Sequence, residues 1–300
     1  MTVNHNQVVF QVTAAESGSL IKDFLKSKEI SERALKKLRN NGTILCNGQA
    51  VTWRKVVYAG DEIILVYPLP NESQYLQPEP VPLQIIHEDQ DIVVINKQPG
   101  ICVHPTKSHP SGTLAHGLIY HWISNNQQAG FHAVNRIDRN TSGLVLVAKN
   151  SFSAQKLFRQ KQQHMLSRSY LALAEGQVTV REGSVVLPIA RCPGQTTKRQ
   201  VVPHGQRAVT RFQVLEYFTN CTLLRIYPET GRTHQIRVHL SHLGHPLLGD
   251  KLYGGSTERI NRHCLHADRM SFLHPRTNQA MTFTLPLPSD MAKVIEEIRG

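Results

Sequence analysis

The chain has 300 residues, of which 40% are hydrophobic, and its 34 Lys and Arg against 22 Asp and Glu give a formal net charge of +12. That length can form one large domain or a large and a small one, and the excess positive charge favours a polyanionic partner such as a nucleic acid. A membrane is the weaker choice, because no apolar run is long enough to span a bilayer and no basic amphipathic helix has an apolar face rich in Trp, Phe or Leu.

The N-terminus and the cysteines bear on the cellular compartment. The sequence MTVNHNQVVFQV lacks the basic region followed by an apolar region that defines a signal peptide. The five cysteines are scattered and none belongs to a CxxC pair, which is typical of a reducing compartment. We therefore expect a cytoplasmic protein.

The first segment in chain order, residues 8–67, has the pattern of a small domain. VVFQVT alternates like a strand, and SGSLIKDFLKSKEI and ERALKKLRN place apolar residues at helical spacing. A hairpin is predicted at Asn47-Gly48 and a last strand in AGDEIILVYP. We expect two short helices followed by a small sheet.

The second of these helices carries four cations, Arg33, Lys36, Lys37 and Arg39. Such a run can contact phosphates or can simply be a solvated helix surface, which is the more common case for a single charge run. The net charge of the whole chain favours phosphate contacts, so we predict that these four residues bind nucleic acid.

A Pro-rich segment separates this unit from the rest of the chain. Residues 68–82 predict an extended linker, and residues 83–300 contain strand and helix patterns with strands in the majority and often adjacent. This order predicts an α+β domain with a mostly antiparallel sheet flanked by helices. The predicted strands lie in IIHEDQDIVVINK, SGLVLVAKN, YLALAEG, VTRFQVLEYF, CTLLRIYPE and AMTFTLPLP, and the predicted helices in TLAHGLIYHWIS, SFSAQKLFRQKQQ and THQIRVHLSHLG.

Motifs for bound cofactors are absent from the sequence. It has no GxxxxGK[ST] phosphate loop, no GxGxxG after a strand, no HExxH and no CxxC pair. We therefore expect no cofactor, and a reaction, if there is one, carried by the protein's own side chains.

One candidate for such chemistry is Asp138, in a loop that leads into a predicted buried strand. Arg136 and Arg139 lie beside it, and a carboxylate next to guanidinium groups stays ionised, as a nucleophile or a general base requires. The same residues also fit a structural Arg–Asp pair that pins the turn. The local sequence leaves both interpretations open.

A second candidate is Tyr170, at the start of another predicted strand. Its ring could stack on a base or its hydroxyl could face Asp138, although a strand-edge tyrosine with a solvated tip is the more common case.

In the segment 227–255, Arg232 and Arg237 can point toward a phosphate or toward Asp138.

The same segment contains a group of histidines. No two of them stand four residues apart and no cysteine lies near, so their spacing argues against a metal site. These residues are His234, His239, His242 and His245. The helix predicted in this segment is expected to be capped by Thr230 or Thr233.

Taken together, these segments resemble the RluA-type RNA pseudouridine synthases. RIDRNTSGLVLVAK is similar to the family's catalytic loop, HRLDxxTSGxxxxAK, and TGRTHQIRVHLSHLGHPLLGDKLYG is similar to its second long motif. EDQDIVVINKQPGICVHP and HCLHADRMSFLHP resemble two more of its motifs, and residues 8–67 resemble an S4 RNA-binding domain. The resemblance extends over nearly the whole chain.

The resemblance implies a cofactor-free enzyme that isomerises uridine to pseudouridine in structured RNA, with large-subunit ribosomal RNA as the expected substrate. Asp138 matches the essential aspartate, which either attacks C1′ of the ribose or removes the 2′ proton. Arg136 is implied to help open the RNA and to pair with the aspartate once the uridine is out. Tyr170 is implied to lie against the target base, and Arg237 to pair with Asp138.

The sequence departs from the family pattern at three positions. Asn135 replaces a histidine, Ile137 replaces a leucine and Gln98 replaces a proline. None of these changes removes an implied chemical role, and Asn135 keeps the capacity to form hydrogen bonds.

Two other classes of function have to be weighed against this enzyme. The first is a non-catalytic RNA-binding or ribosome-assembly factor on the same fold, which the presence of Asp138 and Arg237 disfavours. The second is a metal hydrolase that uses the histidines, which predicts bound zinc. We expect a monomer, because the sequence shows no coiled coil and no long apolar edge.

Overall fold

The computed structural model describes residues 3–4, 7–28, 30, 32–68 and 76–299. All five predicted helices are confirmed. The described residues contain a sixth helix, near the end of the chain, which was not predicted. The helices are α1 Ile21–Ser27, α2 Glu32–Asn41, α3 Leu114–Ser124, α4 Ser151–Gln162, α5 Gln235–His242 and α6 Ser289–Arg299.

The strands form one large sheet, one four-stranded sheet and two small ribbons. They are β1 Val3–Asn4, β2 Gln7–Gln11, β3 Thr43–Cys46, β4 Gln49–Ala50, β5 Glu62–Val66, β6 Ile85–Glu88, β7 Ile92–Lys97, β8 Gln127–Gln128, β9 His132–Ala133, β10 Ser142–Ala148, β11 Ser167–Glu175, β12 Glu182–Val186, β13 Ile189–Arg191, β14 Arg199–Val201, β15 Val209–Tyr217, β16 Cys221–Pro228, β17 Leu265–Leu273 and β18 Ala280–Thr284.

The N-terminal unit packs α1 and α2 against the four-stranded sheet, whose order is β2-β5-β3-β4. Its core is formed by alternate residues of the strands and by one face of each helix, including Phe24 and Leu38. The predicted hairpin joins β3 to β4, and Asn47 and Gly48 both have positive φ, as a two-residue turn between twisted strands requires. Phe152 of α4 also packs into this core, so the small unit contacts the large one.

The large sheet has the strand order β12-β15-β16-β11-β17-β10-β7-β6, with β18 paired to β17 and β9 paired to β10. Every pair is antiparallel except β10 with β17, which confirms a mostly antiparallel α+β architecture. At the parallel pair, Gly143 has a φ of +111°, and a Cβ there would collide with the backbone of Ala267. A glycine is therefore required where the catalytic loop of the resemblance enters the sheet.

The second half of the predicted linker is packed against the large unit. Residues 76–82 contain no helix or strand, but Gly112 donates its N–H to the Glu79 carboxylate at 2.7 Å and Val81 lies against Gly117 of α3. Residues 69–75 of that segment lie outside the described residues, and the division into domains at 67 and 83 stays a prediction.

None of the helices in the described ranges has the length and apolar character needed to cross a membrane.

Candidate active site

A cavity of about 540 Å³ opens between the loop that precedes β10, the start of β11 and the N-terminal end of α5. The residues that the resemblance implies for catalysis come from these separate elements, yet they all line this one cavity. They are Asp138, Arg136, Tyr170 and Arg237.

The loop that carries Asp138 is tied to the sheet by Asn135. This side chain is buried, it donates from Nδ2 to the Leu144 carbonyl at 3.0 Å, and it accepts the Leu146 N–H on Oδ1 at 2.8 Å. Asn135 therefore satisfies two backbone groups of β10 and turns away from the cavity, which its atoms do not line. The position at which the family has a histidine therefore anchors the loop here and does not line the cavity.

The other end of the loop is held by Thr141. Its N–H donates to the Asp138 carbonyl at 3.1 Å, closing the turn. Its hydroxyl lies 2.7 Å from Nε2 of the buried His263. Burial lowers the pKa of His263 to about 4, so this imidazole is neutral at pH 7. The Asp138 backbone is thus fixed on both sides by buried hydrogen bonds.

Lys97, at the end of β7, ties a second loop to the Asp138 loop. Its fully buried ammonium donates to the carbonyls of Gln98, Ile101 and Arg139 at 2.8, 3.0 and 3.0 Å. Burial lowers its pKa to about 7. Arg139 adds to the same junction, because its Nε donates to the Gly100 carbonyl at 2.8 Å.

Lys97→Met is expected to destabilise the protein by on the order of 3 kcal/mol, because it leaves three carbonyls without their donor. Urea denaturation measures the loss, and the matched control is Lys293→Met on the exposed face of α6. Equal stability of the two variants would show that the ammonium does not hold the junction.

The carboxylate of Asp138 pairs with Arg237, which lies 99 positions further along the chain. Nη1 of Arg237 donates to Asp138 Oδ2 at 3.0 Å. The other edge of the guanidinium forms a bidentate pair with the buried Asp250, at 2.7 and 2.8 Å. The ring of Tyr253 stacks against the guanidinium, with 4.9 Å between Cζ and the ring centroid. Asp250 and Tyr253 therefore orient Arg237 so that its free edge faces Asp138.

Asp138 is ionised in this setting. Burial by itself would raise the pKa of the carboxyl, but the positive charges of His234 and Arg237 outweigh that effect and hold the pKa below its ordinary value. Burial also lowers the pKa of His234, so the permanent charge opposite Asp138 at neutral pH is Arg237. The carboxylate is available as a nucleophile or a general base.

His234, at the N-terminal end of α5, lies close to Asp138. Its Nε2 is 3.9 Å from Asp138 Oδ2, and its Nδ1 lies 2.9 Å from the Tyr253 hydroxyl. The residue has a φ of +58°, in the left-handed region, which is uncommon for residues other than glycine. Thr230 and Thr233 do not cap α5, so that prediction was wrong. His234 occupies the cap position, and Thr230 donates to the Gln235 side chain at 2.7 Å.

Tyr170 lies in the first half of β11 and is 5% exposed. Burial raises the pKa of its hydroxyl, so the group stays protonated at neutral pH. Its hydroxyl forms no hydrogen bond with any side chain or backbone group of the described ranges. The ring lies against the cavity as a buried apolar wall with a polar tip.

The two arginines next to Asp138 in sequence do not bond to its carboxylate. Arg139 points to Gly100, and Arg136 is exposed at the cavity and forms no ion pair within the described ranges. The expectation that these neighbours keep Asp138 charged was wrong, because the charges that chiefly lower the pKa of Asp138 are those of His234, Arg237 and His263. Arg237 supplies the charge.

The comparison with known proteins follows this geometry. The family model for RNA pseudouridylate synthase matches residues 91–242, the segment that contains Asp138, Tyr170 and Arg237. The chain belongs to the RNA pseudouridylate synthase family. The resemblance to its RluA-type members is thereby confirmed, and the protein is an RNA pseudouridine synthase.

Relatives of this pseudouridine synthase match along most of their length. One is the Bacillus subtilis (strain 168) "Uncharacterized RNA pseudouridine synthase YjbO", 43% identical over 277 residues, which are 92% of this chain and 98% of the relative. Another is the "Ribosomal large subunit pseudouridine synthase D" of Pasteurella multocida (strain Pm70), 38% identical over 91% of this chain and 88% of the relative. A solved structure, "Human RNA Pseudouridylate Synthase Domain Containing 4", has a TM-score of 0.59 at 24% identity over 72% of this chain and 93% of that chain, and it shows the fold.

Three histidines of the α5 segment, His234, His239 and His245, each have their own hydrogen-bond partners in this pseudouridine synthase. His239 is buried between the Thr210 hydroxyl and the Leu187 carbonyl, both at 2.9 Å, and His245 lies 2.9 Å from the Glu175 carbonyl. In the described ranges, the one group of three potential metal ligands is Asp89, Asp91 and His274.

That group has the contacts of a structural cluster. Arg276 forms a bidentate pair with Asp91 at 2.6 and 2.9 Å, and the Ser153 hydroxyl donates to the same carboxylate at 2.7 Å. His274 Nε2 lies 3.2 Å from Asp89. The Asp91 oxygens are therefore already occupied by protein donors.

Sequence reasoning missed the residues that support the pseudouridine synthase site. Lys97, Asp250, Tyr253 and His263 were not singled out, although all four lie in motifs quoted for the resemblance or beside them. A signal was present for Asp250, because a buried arginine requires a carboxylate and Asp250 is the next one after Arg237 in the chain.

Proposed function

We propose that this pseudouridine synthase modifies uridine in large-subunit ribosomal RNA, with Asp138 as the essential catalytic group and without a cofactor. The observation that carries the proposal is an ionised carboxylate, oriented by the Asp250–Arg237 pair, in a 540 Å³ cavity beside Tyr170. Several relatives are named for the ribosomal large subunit, which supports that choice of RNA.

The side chains of the protein supply every group that the reaction needs. The bond between N1 and C1′ breaks, the uracil turns, a bond forms between C5 and C1′, the C5 proton is lost and N1 takes up a proton. Asp138 acts on the ribose, either by attack on C1′ or by removal of the 2′ proton. In both routes the uridine must leave its stack and enter the cavity, where Tyr170 faces the base.

We propose that residues 8–67 form an S4-like RNA-binding domain. Two helices on a small sheet present Lys36 and Arg39 as exposed cations on α2. The side chains of the other two predicted residues, Arg33 and Lys37, lie outside the described residues. Phosphate contacts from such a surface supply affinity, while the cavity selects an exposed base.

The triple change of Lys36, Lys37 and Arg39 to Ala is expected to lower RNA affinity and to reduce its salt dependence, with activity on a short oligonucleotide little changed. Affinity for a ribosomal RNA transcript, measured over a range of salt concentrations, provides the test. The control changes Lys251, Arg269 and Lys293, three exposed cations outside α2, to Ala. If the salt dependence of RNA binding is unaltered in the triple variant of α2, the α2 surface does not bind RNA phosphates.

The substrate is tested by incubating the protein with separate transcripts of large-subunit and small-subunit ribosomal RNA and with transfer RNA. Pseudouridine is then mapped, and the experiment is repeated with Asp138→Ala. We expect Asp138-dependent pseudouridine in the large-subunit transcript. Product in another RNA alone would exclude the proposed substrate, and binding without product in any RNA would favour an assembly factor.

We also propose that the protein acts as a monomer in the cytoplasm. The five cysteines are all free thiols in the structure, which is consistent with a reducing compartment. Gel filtration of the purified chain tests the monomer, since a dimer would elute at twice the mass.

A further inference from the structure

An exposed aromatic ring stands at the opening of the cavity. Phe158, on α4, lines the cavity and is 41% exposed, and it is the one phenylalanine among the exposed large hydrophobic side chains of the described ranges. Phenylalanine is costly to leave in water, and the preceding aromatic of the same helix, Phe152, is buried in the N-terminal core. The exposed ring therefore offers a free π face beside the entrance.

Two cations line the same cavity as this ring. Lys161, one turn further along α4, donates to the Val134 carbonyl at 2.9 Å, which anchors the ammonium and leaves two of its N–H groups available. Arg168 comes from β11, two residues before Tyr170, and also lines the cavity.

The two cations share a single electrostatic environment. Burial and the charges of Arg168 and Arg136 together lower the pKa of Lys161 to about 8. Neither Lys161 nor Arg168 forms an ion pair with a carboxylate in the described part of the chain. A cluster of positive charges without a protein anion is complementary to a phosphate.

We propose that Phe158, Lys161 and Arg168 form a subsite for a nucleotide that flanks the target uridine in the RNA strand. Phe158 stacks on the base of that nucleotide, and Lys161 and Arg168 bind its phosphate. The proposal rests on the proposed function, because it takes the uridine in the cavity to be part of a single-stranded stretch of RNA.

The combination of groups selects a nucleotide over other occupants. A free anion would use the cations and leave the ring exposed, and an apolar peptide would use the ring and leave the cations unpaired. A nucleotide uses both, because it joins a π face to a phosphodiester. Stacking tolerates any base, so this subsite contributes affinity and strand direction rather than base sequence.

The test measures equilibrium binding of a single-stranded oligouridylate at several salt concentrations, with all variants made in the Asp138→Ala background so that no product forms. Phe158→Leu is expected to weaken binding about tenfold with the salt slope unchanged, while Phe158→Tyr restores it, because Leu keeps the apolar bulk but has no π face. Lys161→Gln and Arg168→Gln together are expected to reduce the slope of log K against log salt by about 0.7, the value for one phosphate of a single strand.

Matched controls are Tyr120→Ala, an exposed aromatic on α3, and Lys293→Gln on α6, both expected to bind like the parent. The subsite is excluded if Phe158→Leu binds like Phe158→Tyr, if the double variant keeps the parental slope, or if the controls lose as much affinity.

Failure of the subsite and failure of the proposed function give different results. If protein that retains Asp138 forms pseudouridine but the Phe158 and Lys161 variants bind the oligouridylate like the parent, the proposed reaction is supported and the subsite is excluded. If no RNA is modified but the binding changes occur as expected, the three residues bind a nucleotide of single-stranded RNA and the proposed reaction is excluded.

Discussion

Asp138→Asn is expected to reduce pseudouridine formation by at least about 10⁴-fold, a loss in the range seen when an essential nucleophile or base is removed. The amide has nearly the shape of the carboxylate but can neither attack C1′ nor accept the 2′ proton. The measurement is the single-turnover rate on saturating RNA, followed by mass spectrometry of the digested product.

This variant should fold and bind RNA normally. Arg237 keeps its bidentate pair with Asp250 when the charge of Asp138 is lost, so no buried guanidinium is left without a partner. Circular dichroism and RNA affinity equal to the parent's are the controls. Activity retained within tenfold would show that another group carries the reaction.

Arg237→Gln is expected to move the acidic limb of the pH–rate profile to higher pH and to lower the rate at neutral pH by about 10²–10³-fold, as for loss of one oriented donor. In the parent, the pKa of Asp138 is held below its ordinary value, so the active carboxylate is present above that pKa and is lost only as the pH falls through it. Without the guanidinium, burial acts with less opposition and raises the pKa, so protonation begins at higher pH.

The control variants for this prediction distinguish the effect of the lost Arg237 charge from a loss of stability. Arg237→Gln leaves the buried Asp250 without its partner, which costs about 3–5 kcal/mol, so the double change with Asp250→Asn is made beside it. Arg232→Gln is the matched arginine variant, because Arg232 lines the same cavity but donates to the Arg207 carbonyl. An acidic limb that shifts equally in Arg232→Gln, or that stays in place in both Arg237 variants, would refute the role of Arg237.

Much of the fold could be predicted because its elements are locally consistent. β10 is an unbroken buried run and α4 begins after Asn150, whose side chain accepts the Ser153 N–H at 2.8 Å. In contrast, β17 lies in the middle of the large sheet but contains His266, Asp268 and Arg269, so its sequence shows no apolar run. Two of its polar side chains have partners on other strands, because the Ser142 hydroxyl contacts His266 Nδ1 and the Ser169 hydroxyl donates to Asp268, and only the assembled sheet reveals these contacts.

In the site, too, some residues could be predicted from local sequence, and other features depend on tertiary contacts. Asp138 and Arg237 could be identified because each lies in a long motif, and Tyr170 because it matches the active-site tyrosine of the family. The pairing of Asp138 with Arg237, which the family resemblance implied, depends on how α5 packs beside the loop before β10, whereas the residues adjacent to Asp138 pointed to Arg136 and Arg139. The left-handed conformation of His234 and the three carbonyls around Lys97 are likewise products of tertiary packing that no spacing rule contains.

The central claim is that the carboxylate of Asp138 converts uridine to pseudouridine in the cavity shared with Tyr170 and Arg237. It is tested most directly with ribosomal RNA transcribed from uridine that carries tritium at C5, because bond formation at C5 releases that hydrogen to water. Wild-type protein should release one tritium per modified uridine, and Asp138→Asn at equal RNA occupancy should release none. Equal release by the two proteins, or none by the wild type on any cellular RNA, would contradict the account.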